Sequence, residues 1–491
     1  MKIALIIPRN SRNREKSFYD YKFISDFTFS KKHFSYLLAV PVLMSLTPPQ
    51  HEIRVFDENV EDIDYDWPAD VVGITVRTMF ATRAYEISEA YRKRGVKTVL
   101  GGIHPSMRPE EAAEHGDAVV VGEAEHVWPG LLKDVENGRL ERVYKSQRPT
   151  ELSACPGPVR KGLSLERYFS DIVQTTKGCP FSCEFCSVHA YDGRKMRHKT
   201  VDQVVREVVD LAGASNGYKK KAIFFADDNI IGDRQYARQL FAALAPHNLN
   251  WSCQASIDLA KEDELLSMMK ESGCGAVLVG LETVSRTNLA AMGKNVNLAA
   301  DYQWAVEKIH SHGILVQGSF IMGYDFDTPE AFDELLEFIE EARLLMPLIN
   351  VLTPLPGTRL FDRLESEGRI LHNRWDEYDS QTVVFKPKGM EPEALADEYR
   401  RVLRSIYSFR SIHRKLKYYW DSDFWRHSNR VDPVPLKYRL LFAVRLASLL
   451  FSTNLERSRF ILKILPRVFS RRVRVSTILA LMAYNDVAYA V

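Results

Sequence analysis

The chain has 491 residues, of which 45% are hydrophobic and 26% are charged, and this composition excludes an intrinsically disordered or fibrous protein. The net charge is +2, but residues 410–474 hold sixteen Lys or Arg against four Asp or Glu, a net +12, so the remainder carries −10. The basic character therefore belongs to one end of the chain.

The N-terminal part, residues 1–145, alternates buried strand patterns with helical ones. Strands are predicted at 2–7, 52–56, 71–75, 98–100 and 118–121, with helices such as 84–94 and 127–135 between them. This order predicts a doubly wound, Rossmann-like α/β domain. The apolar run at residues 1–8 is too short for the core of a signal peptide, so we expect a cytoplasmic protein.

Polar and glycine residues follow three of these strands, at the edge where such sheets bind ligands. They are Thr75, then Gly101 and Gly102 followed by His104, then Gly122. Spacing alone leaves two interpretations open, a cofactor-binding edge or ordinary strand-to-helix turns.

A Pro-, Gly- and Ser-containing segment at 146–165 predicts a linker. Beyond it, residues 166–391 repeat a second α/β pattern, with strands at 171–176, 222–226, 250–255, 276–280, 315–322 and 349–352 and helices at 201–211, 234–244, 261–271, 299–312 and 329–343. Six such units predict a full or partial (β/α)6 barrel.

Three of the six cysteines, Cys179, Cys183 and Cys186, stand in CxxxCxxC spacing between a predicted strand and a predicted helix. One short loop can direct three thiols at one metal centre, and crowding of this kind indicates metal binding rather than disulfides. A zinc site completed by His189 or His198 is one alternative. A 4Fe-4S cluster on three thiolates leaves one iron open for a substrate.

The motif resembles the signature of the radical S-adenosylmethionine (SAM) superfamily, CxxxCx-aromatic-C, in which Phe185 supplies the aromatic residue. The resemblance implies a 4Fe-4S cluster and cleavage of SAM to a 5′-deoxyadenosyl radical, with Asp227, Asp228 and Glu282 at strand ends as SAM contacts. The alternative for these carboxylates is a turn or helix-capping role.

Residues 351–359 (VLTPLPGTR), the Gly-Gly-x-His-Pro element at 101–105 and the Gly122 turn resemble a subgroup that carries an N-terminal cobalamin-binding domain. This resemblance covers about residues 1–400 and implies cobalamin at the Thr75, Gly101, Gly102, His104 and Gly122 edge. No DxHxxG sequence is present, so no histidine is predicted to ligate cobalt.

The implied function is methylation of an unactivated carbon in a small-molecule or lipid-like substrate, with a one-electron donor such as flavodoxin or ferredoxin. One alternative is a radical cyclase, oxidase or rearrangement enzyme without methyl transfer. Another is a non-catalytic metal or redox-sensing module. The sequence identifies no catalytic residue for the substrate.

The C-terminal region, 392–491, is predicted to be helical, basic and rich in aromatic residues. Apolar stretches at 440–451, 460–469 and 475–491 are too short or too interrupted to span a membrane. Two interpretations stay open: peripheral contact with the inner face of the membrane, or a helical cap over the open end of the barrel. No nucleic-acid-binding motif is present, so nucleic acid is not expected as a partner.

Overall fold

The structure is a computed structural model that describes residues 1–10, 33–213, 222–422, 424, 444–450, 454–469 and 475–490. Two six-stranded sheets follow one another along the chain, and every strand pair within them is parallel. Each sheet has its own buried apolar residues. The predicted α/β fold class is therefore confirmed.

The N-terminal sheet has the order β2-β1-β3-β4-β5-β6. Its strands are β1 (Lys2–Ile7), β2 (Glu52–Asp57), β3 (Val71–Thr75), β4 (Lys97–Gly101), β5 (Ala118–Val121) and β6 (Val143–Lys145). The helices around it are α1 (Ala39–Leu46), α2 (Ala81–Arg92), α3 (Ile103–Met107), α4 (Pro109–His115) and α5 (Trp128–Glu136). Helices cover both faces, which is why its central strands are rich in Ile, Val and Leu and show no regular polar alternation.

Five of these strands were predicted, and β6 was missed. It is a three-residue edge strand whose Val143 is 45% exposed, so it lacks the apolar run that identifies a buried strand.

The second sheet has the order β14-β13-β12-β11-β10-β7. Its strands are β7 (Ser170–Val173), β10 (Ala222–Phe225), β11 (Trp251–Ala255), β12 (Cys274–Glu282), β13 (Leu315–Met322) and β14 (Leu348–Val351). Neighbours in space are successive along the chain and are joined by helices, which gives the predicted partial (β/α)6 barrel. The predicted strand at 171–176 divides into β7 and the short β8 (Thr176–Lys177), which pairs with β9 (Arg197–His198) in antiparallel fashion.

The barrel helices are α6 (Ser187–Tyr191), α7 (Val201–Gly213), α8 (Arg234–Leu244), α9 (Asp263–Glu271), α10 (Arg286–Ala291), α11 (Asn295–Leu298), α12 (Tyr302–Ser311), α13 (Pro329–Glu341) and α14 (Arg359–Ser366). Asp233 caps α8 by accepting hydrogen bonds from two backbone amides, as its position before the helix predicts. The proposed domain boundaries at 145, 165 and 391 stay a prediction.

The C-terminal region forms α15 (Pro392–Ile406), α16 (Phe409–Asp421), α17 (Leu455–Phe469) and α18 (Val475–Ala490). The hydroxyl of Tyr419 in α16 donates to the carbonyl of Arg343 at 2.8 Å, and Tyr407 donates to Pro347. Both acceptors precede β14, so this region packs at the amino-terminal ends of the barrel strands.

The predicted apolar stretch at 475–491 is largely a buried core helix, because Tyr484 stacks on Tyr407 and Asn485 donates to its carbonyl at 2.7 Å. Parts of the stretch at 440–451 lie outside the described residues. None of the described helices combines the length and the apolar character needed to cross a membrane.

Candidate functional site

The three motif cysteines line one cavity of about 330 Å³ at the carboxyl ends of the barrel strands. Their loop runs from β8 to α6 and begins at Gly178, which has a φ of +93°. A Cβ at Gly178 would lie 2.5 Å from the carbonyl oxygen of Lys195, so the turn before Cys179 accepts no side chain. Burial raises the pKa of the Cys179 and Cys183 thiols, and it raises that of Cys186 to about 11. A metal centre is what would favour their thiolate forms here.

Glu184, inside the cysteine motif, ties the loop to the end of the barrel. Its carboxylate accepts from Arg363 at 2.6 Å and from the hydroxyl of Tyr324. Its backbone amide donates to the carbonyl of Met292 at 3.0 Å, and its carbonyl accepts from Leu360 at 3.1 Å. The cysteine loop is therefore held from both sides.

The two adjacent aspartates after β10 have different positions. Asp227 is fully buried, and its Oδ1 accepts from the backbone amides of Thr175 and Thr176 and from the Thr175 hydroxyl. It fixes the chain that enters the cysteine loop and does not line the cavity. Asp228 does line the cavity; burial and the charges of Asp192 and Asp227 raise its pKa to about 7.

Glu282 lies at the end of β12, where the strand register shifts and its own φ is +65°. Asn297 stabilises this strained end by donating to the carbonyl of Gly280 at 3.0 Å. The Glu282 carboxylate lies 2.8 Å from Lys294 Nζ, which also faces the cavity. Burial by itself lowers the pKa of Lys294, but the charges of Glu282 and Cys183 outweigh burial and raise it. A charged lysine therefore stands beside the thiols.

Polar side chains from neighbouring strands complete the cavity wall. Gln254, Ser319 and Asn350 face it from β11, β13 and β14. Asn350 Nδ2 donates to Ser319 Oγ at 3.0 Å, whereas its Oδ1 is buried and has no hydrogen-bond partner in the described part of the chain. Phe185 and several aliphatic residues contribute apolar surface: Leu278, Ile321, Leu352 and Leu355.

A second cavity, of about 390 Å³, lies between the carboxyl edge of the N-terminal sheet and the barrel. Four of the predicted edge residues line it: Thr75, Gly101, Gly102 and Gly122. Gly102 has a φ of +112°, and a Cβ there would lie 2.8 Å from the carbonyl oxygen of Val76. Arg77, an exposed residue, also lines this cavity. We find no carboxylate paired with Arg77 among the described residues.

His104 is the one predicted edge residue that the structure places away from this cavity. It is fully buried, and its Nε2 lies 3.1 Å from the Tyr85 hydroxyl and 3.5 Å from Glu111. Its ring packs edge-on against Trp375, whose Nε1 donates to Glu111 at 2.6 Å. His104 therefore helps to join the N-terminal domain to the segment after the barrel.

An ionic clasp joins the two domains where the cavities approach each other. Lys177 Nζ, two residues before Cys179, lies 2.9 Å from Glu125 and 3.6 Å from Glu123. Arg197 is the cross-strand partner of Lys177 and lies 2.7 Å from Glu123. Burial favours the neutral acid, but Arg197 and Lys177 outweigh it and lower the pKa of Glu123 to about 2.

Helix α6 is a common wall of the two cavities. Val188 and His189 face the cysteine cavity, whereas Tyr191 faces the second cavity, also lined by the next residue, Asp192. The Tyr191 hydroxyl donates to the carbonyl of Gly122 at 3.1 Å. Five residues that directly follow Cys186 therefore separate two prospective cofactor sites.

Family models match three parts of this chain. Residues 46–132 match a B12 binding domain, residues 173–339 match the radical SAM superfamily, and residues 358–487 match a domain of unknown function (DUF4070). Bacteriochlorophyllide d C-8(2)-methyltransferase of Chlorobaculum tepidum is 35% identical over 391 residues, which cover 76% of this chain and 86% of that relative. The chain belongs to the cobalamin-dependent radical SAM methyltransferases.

Two further comparisons support this membership. Hopanoid C-2 methylase of Rhodopseudomonas palustris is 28% identical over 401 residues, covering 75% of this chain and 74% of the relative. The cobalamin-dependent SAM radical enzyme OxsB, solved with aqua-cobalamin and SAM bound, has a TM-score of 0.62 at 15% identity. That match covers 100% of this chain and 79% of the other, and it shows a common fold.

The cofactors of this radical SAM methyltransferase are a 4Fe-4S cluster, SAM and cobalamin. Its cysteine cavity fits the first two, since three thiols share it with two oxygens that have no hydrogen-bond partner among the described residues, one of the Asp228 carboxylate and one of the Asn350 amide. The second cavity suits a corrinoid in its lining, which includes the glycines Gly101, Gly102 and Gly122 and the cation of Arg77, with which no carboxylate is paired among the described residues. None of the described residues that line it is a histidine.

The two histidines considered for a zinc site have different positions. His189 lines the cysteine cavity, but His198 lies 3.6 Å from Asp233 and does not. No three His, Cys, Asp or Glu side chains in the described ranges are grouped to hold a single metal ion.

Sequence reasoning missed Lys294, Arg77 and the clasp of Lys177, Glu123 and Glu125. For Gln254 and Ser319 a signal was available, because strand residues alternate between faces and each shares its face with a polar residue two positions earlier, Ser252 or Gln317. Arg77 and Lys294 carried no local signal, since loop cations usually face solvent.

Proposed function

We propose that this methyltransferase places a methyl group on an unactivated carbon of a small, largely apolar molecule of the tetrapyrrole or polycyclic-lipid type. One observation carries the proposal: the cysteine cavity and the corrinoid-type cavity share α6 as a wall, so groups bound in them would be neighbours. The names of two relatives, a bacteriochlorophyllide methyltransferase and a hopanoid methylase, support the substrate class.

We assign the residues as follows. Cys179, Cys183 and Cys186 hold the cluster, while Phe185, Asp228, Glu282 and Lys294 position SAM beside it. Asp227 lies outside the cavity and fixes the backbone that leads into the cysteine loop, through the amides of Thr175 and Thr176. Thr75, Gly101, Gly102, Gly122 and Arg77 line the place of the corrinoid.

When bound, the reduced cluster and SAM supply a carbon radical, and methylcobalamin supplies the methyl group. In the net change, two SAM molecules and two electrons from the donor would convert a substrate C–H bond to C–CH3. One SAM leaves as methionine and 5′-deoxyadenosine, which carries the hydrogen, and the other gives up its methyl group and leaves as S-adenosylhomocysteine. The chain's task is to orient substrate and exclude water. Leu278, Ile321 and Leu352 give the cavity an apolar wall, and Asn350 Oδ1 offers one buried acceptor for a donor group.

Reduction of the cluster requires an electron source, and we propose a small one-electron protein such as flavodoxin or ferredoxin. The cysteine loop carries exposed cations on its outer side: Arg194 donates to the carbonyl of Pro180 at 3.3 Å, and Arg359 donates to that of Ser182. Exposed guanidinium groups beside the cluster loop would attract an acidic donor.

The test is anaerobic reconstitution with iron, sulfide and cobalamin, followed by assay for 5′-deoxyadenosine and bound corrinoid. We expect Cys183→Ala to lose deoxyadenosine formation, whereas Cys253→Ala, a buried cysteine of β11, retains it. Retained formation in Cys183→Ala would refute the cluster assignment. SAM labelled in its methyl group should label the product, and an unlabelled product would instead indicate a cyclase or oxidase.

A further inference from the structure

The outer faces of α16 and α17 carry exposed side chains in the described part of the chain. In α16, Arg410, Arg414 and Lys417 are exposed and recur at positions i, i+4 and i+7, so they form one stripe. The opposite side of α16 is buried in the core through Phe409, Ile412, Leu416, Tyr419 and Trp420. This helix therefore has one apolar face against the protein and one basic face outward.

Helix α17 differs because its outer face mixes cations with large apolar residues. Leu455 is 70% exposed and Leu462 is 56% exposed. Arg459 and Lys463 are also exposed and fall on the same side at helical spacing. The inward side already buries Phe460, Ile461 and Ile464, so packing does not require the two leucines.

The two outer faces adjoin one another. Phe409 of α16 stacks on Phe460 of α17 with ring centroids 5.1 Å apart. His413 lies between the stripes: burial lowers its pKa, and so do the ammonium groups of Lys463 and Lys417. We call the combined surface the basic-apolar face, formed by Arg410, Arg414, Lys417, Leu455, Arg459, Leu462 and Lys463.

Carboxylates compensate little of this charge. Arg414 lies 2.9 Å from Glu340, and Glu456 is an exposed neighbour in the first turn of α17. Over the described ranges, no carboxylate is paired with Lys417, Arg459 or Lys463.

We propose that the basic-apolar face docks on an anionic lipid bilayer. Cations interspersed with exposed leucines on one helical face suit a headgroup layer, where leucines enter the acyl boundary and cations meet phosphates. A polynucleotide would match the cations but not the leucines. The face includes the outer side of α16, which packs at the amino-terminal ends of the barrel strands. Docking therefore leaves the cysteine loop, at the opposite ends of the strands, free for an electron donor.

The experiment is co-sedimentation of the whole reconstituted enzyme with phosphatidylcholine vesicles, with or without roughly one-third phosphatidylglycerol. We expect binding to the anionic vesicles alone, weakened at high salt. Arg459→Gln/Lys463→Gln should reduce partitioning by about fivefold for each cation removed. Leu455→Ser/Leu462→Ser should reduce it at unchanged charge.

The matched control is Lys133→Gln/Arg139→Gln, which removes one exposed Lys and one exposed Arg from the N-terminal domain. It should bind like the wild type, and circular dichroism should show all variants folded. Wild-type binding in the α17 variants overturns the proposal. So does preferential binding of the wild type to RNA with no effect of the leucine substitutions. The face lies outside both cofactor cavities, so methyl transfer to a dissolved substrate should be unaffected, and this keeps the outcome separate from the proposed function.

Discussion

Replacing Lys177 with Met tests whether the ionic clasp holds the cobalamin cavity together. Lys177 and Lys199 both line that cavity, but they have different partners. Lys177 reaches across to Glu125 and Glu123 of the N-terminal domain, whereas Lys199 pairs with Glu207 at 2.7 Å within the barrel. Met keeps the length of the stem and removes the charge.

The size of the effect follows from the partners that each carboxylate keeps. Glu123 retains Arg197 at 2.7 Å, whereas Glu125, whose side chain is 11% exposed, loses its Lys177 contact at 2.9 Å. Breaking one buried pair costs about 3 kcal/mol, and solvent in the cavity reduces this to about 2 kcal/mol. Because corrinoid binding requires the two domains to meet, its affinity should fall by up to about 30-fold.

The assay is titration of the anaerobic protein with cob(II)alamin, followed by absorbance. Lys199→Met is the matched control, and its corrinoid affinity should stay within about threefold of the wild type. In the double variant Lys177→Met/Glu125→Leu, affinity should partly recover, because no uncompensated carboxylate remains. If Lys177→Met binds corrinoid as tightly as the wild type, or if both lysine variants lose affinity equally, the clasp does not hold the cavity.

Two further predictions concern the cysteine loop and pH. Gly178→Ala should lower iron content per chain steeply, because its Cβ would meet the Lys195 carbonyl at 2.5 Å; Gly130→Ala, with nothing within 4 Å, should not, and equal iron contents would contradict this. Burial raises the pKa of Asp327 to about 6, although the backbone amides of Gly323 and Tyr324 lower it. The folded state therefore binds this proton more tightly than the unfolded state does. The free energy of unfolding should decrease as the pH rises from about 4 to about 6. Asp327→Asn removes the titrating group and should flatten that slope in urea unfolding; an unchanged slope would contradict the assignment.

The parts of this fold that sequence could predict are those with local signals. Strand-like patterns rich in apolar residues located β1, β3 and β13 to the residue, and helical spacing located α8 equally well. The cysteine spacing placed three thiols in one loop, and the structure gives them a common cavity.

What could not be predicted depends on partners distant in the chain. Asp227 and Asp228 are adjacent and chemically identical, yet Asp227 bonds Thr175 and Thr176 while Asp228 faces the cavity. His104 follows the motif glycines, but Glu111 and Tyr85 orient its ring away from the cavity. Spacing does not encode such directions.

The C-terminal region shows the same limit in its packing. A helical cap on the barrel was one of two interpretations considered for it, but the sequence did not indicate at which strand ends such a cap would pack. Tyr407 and Tyr419 bond to residues that precede β14, which puts α16 at the amino-terminal ends of the strands.

Helix α6 sets a limit on how this enzyme can be altered. Its five residues present Val188 and His189 to one cavity and Tyr191 to the other, and they begin directly after Cys186. A substitution in α6 that widens one cavity also moves the wall of the other cavity, and it displaces the adjoining Cys186, which we assign to the cluster. The substrate range of such an enzyme should therefore be easier to change at strand positions such as Ser319 and Asn350, which touch one chamber alone.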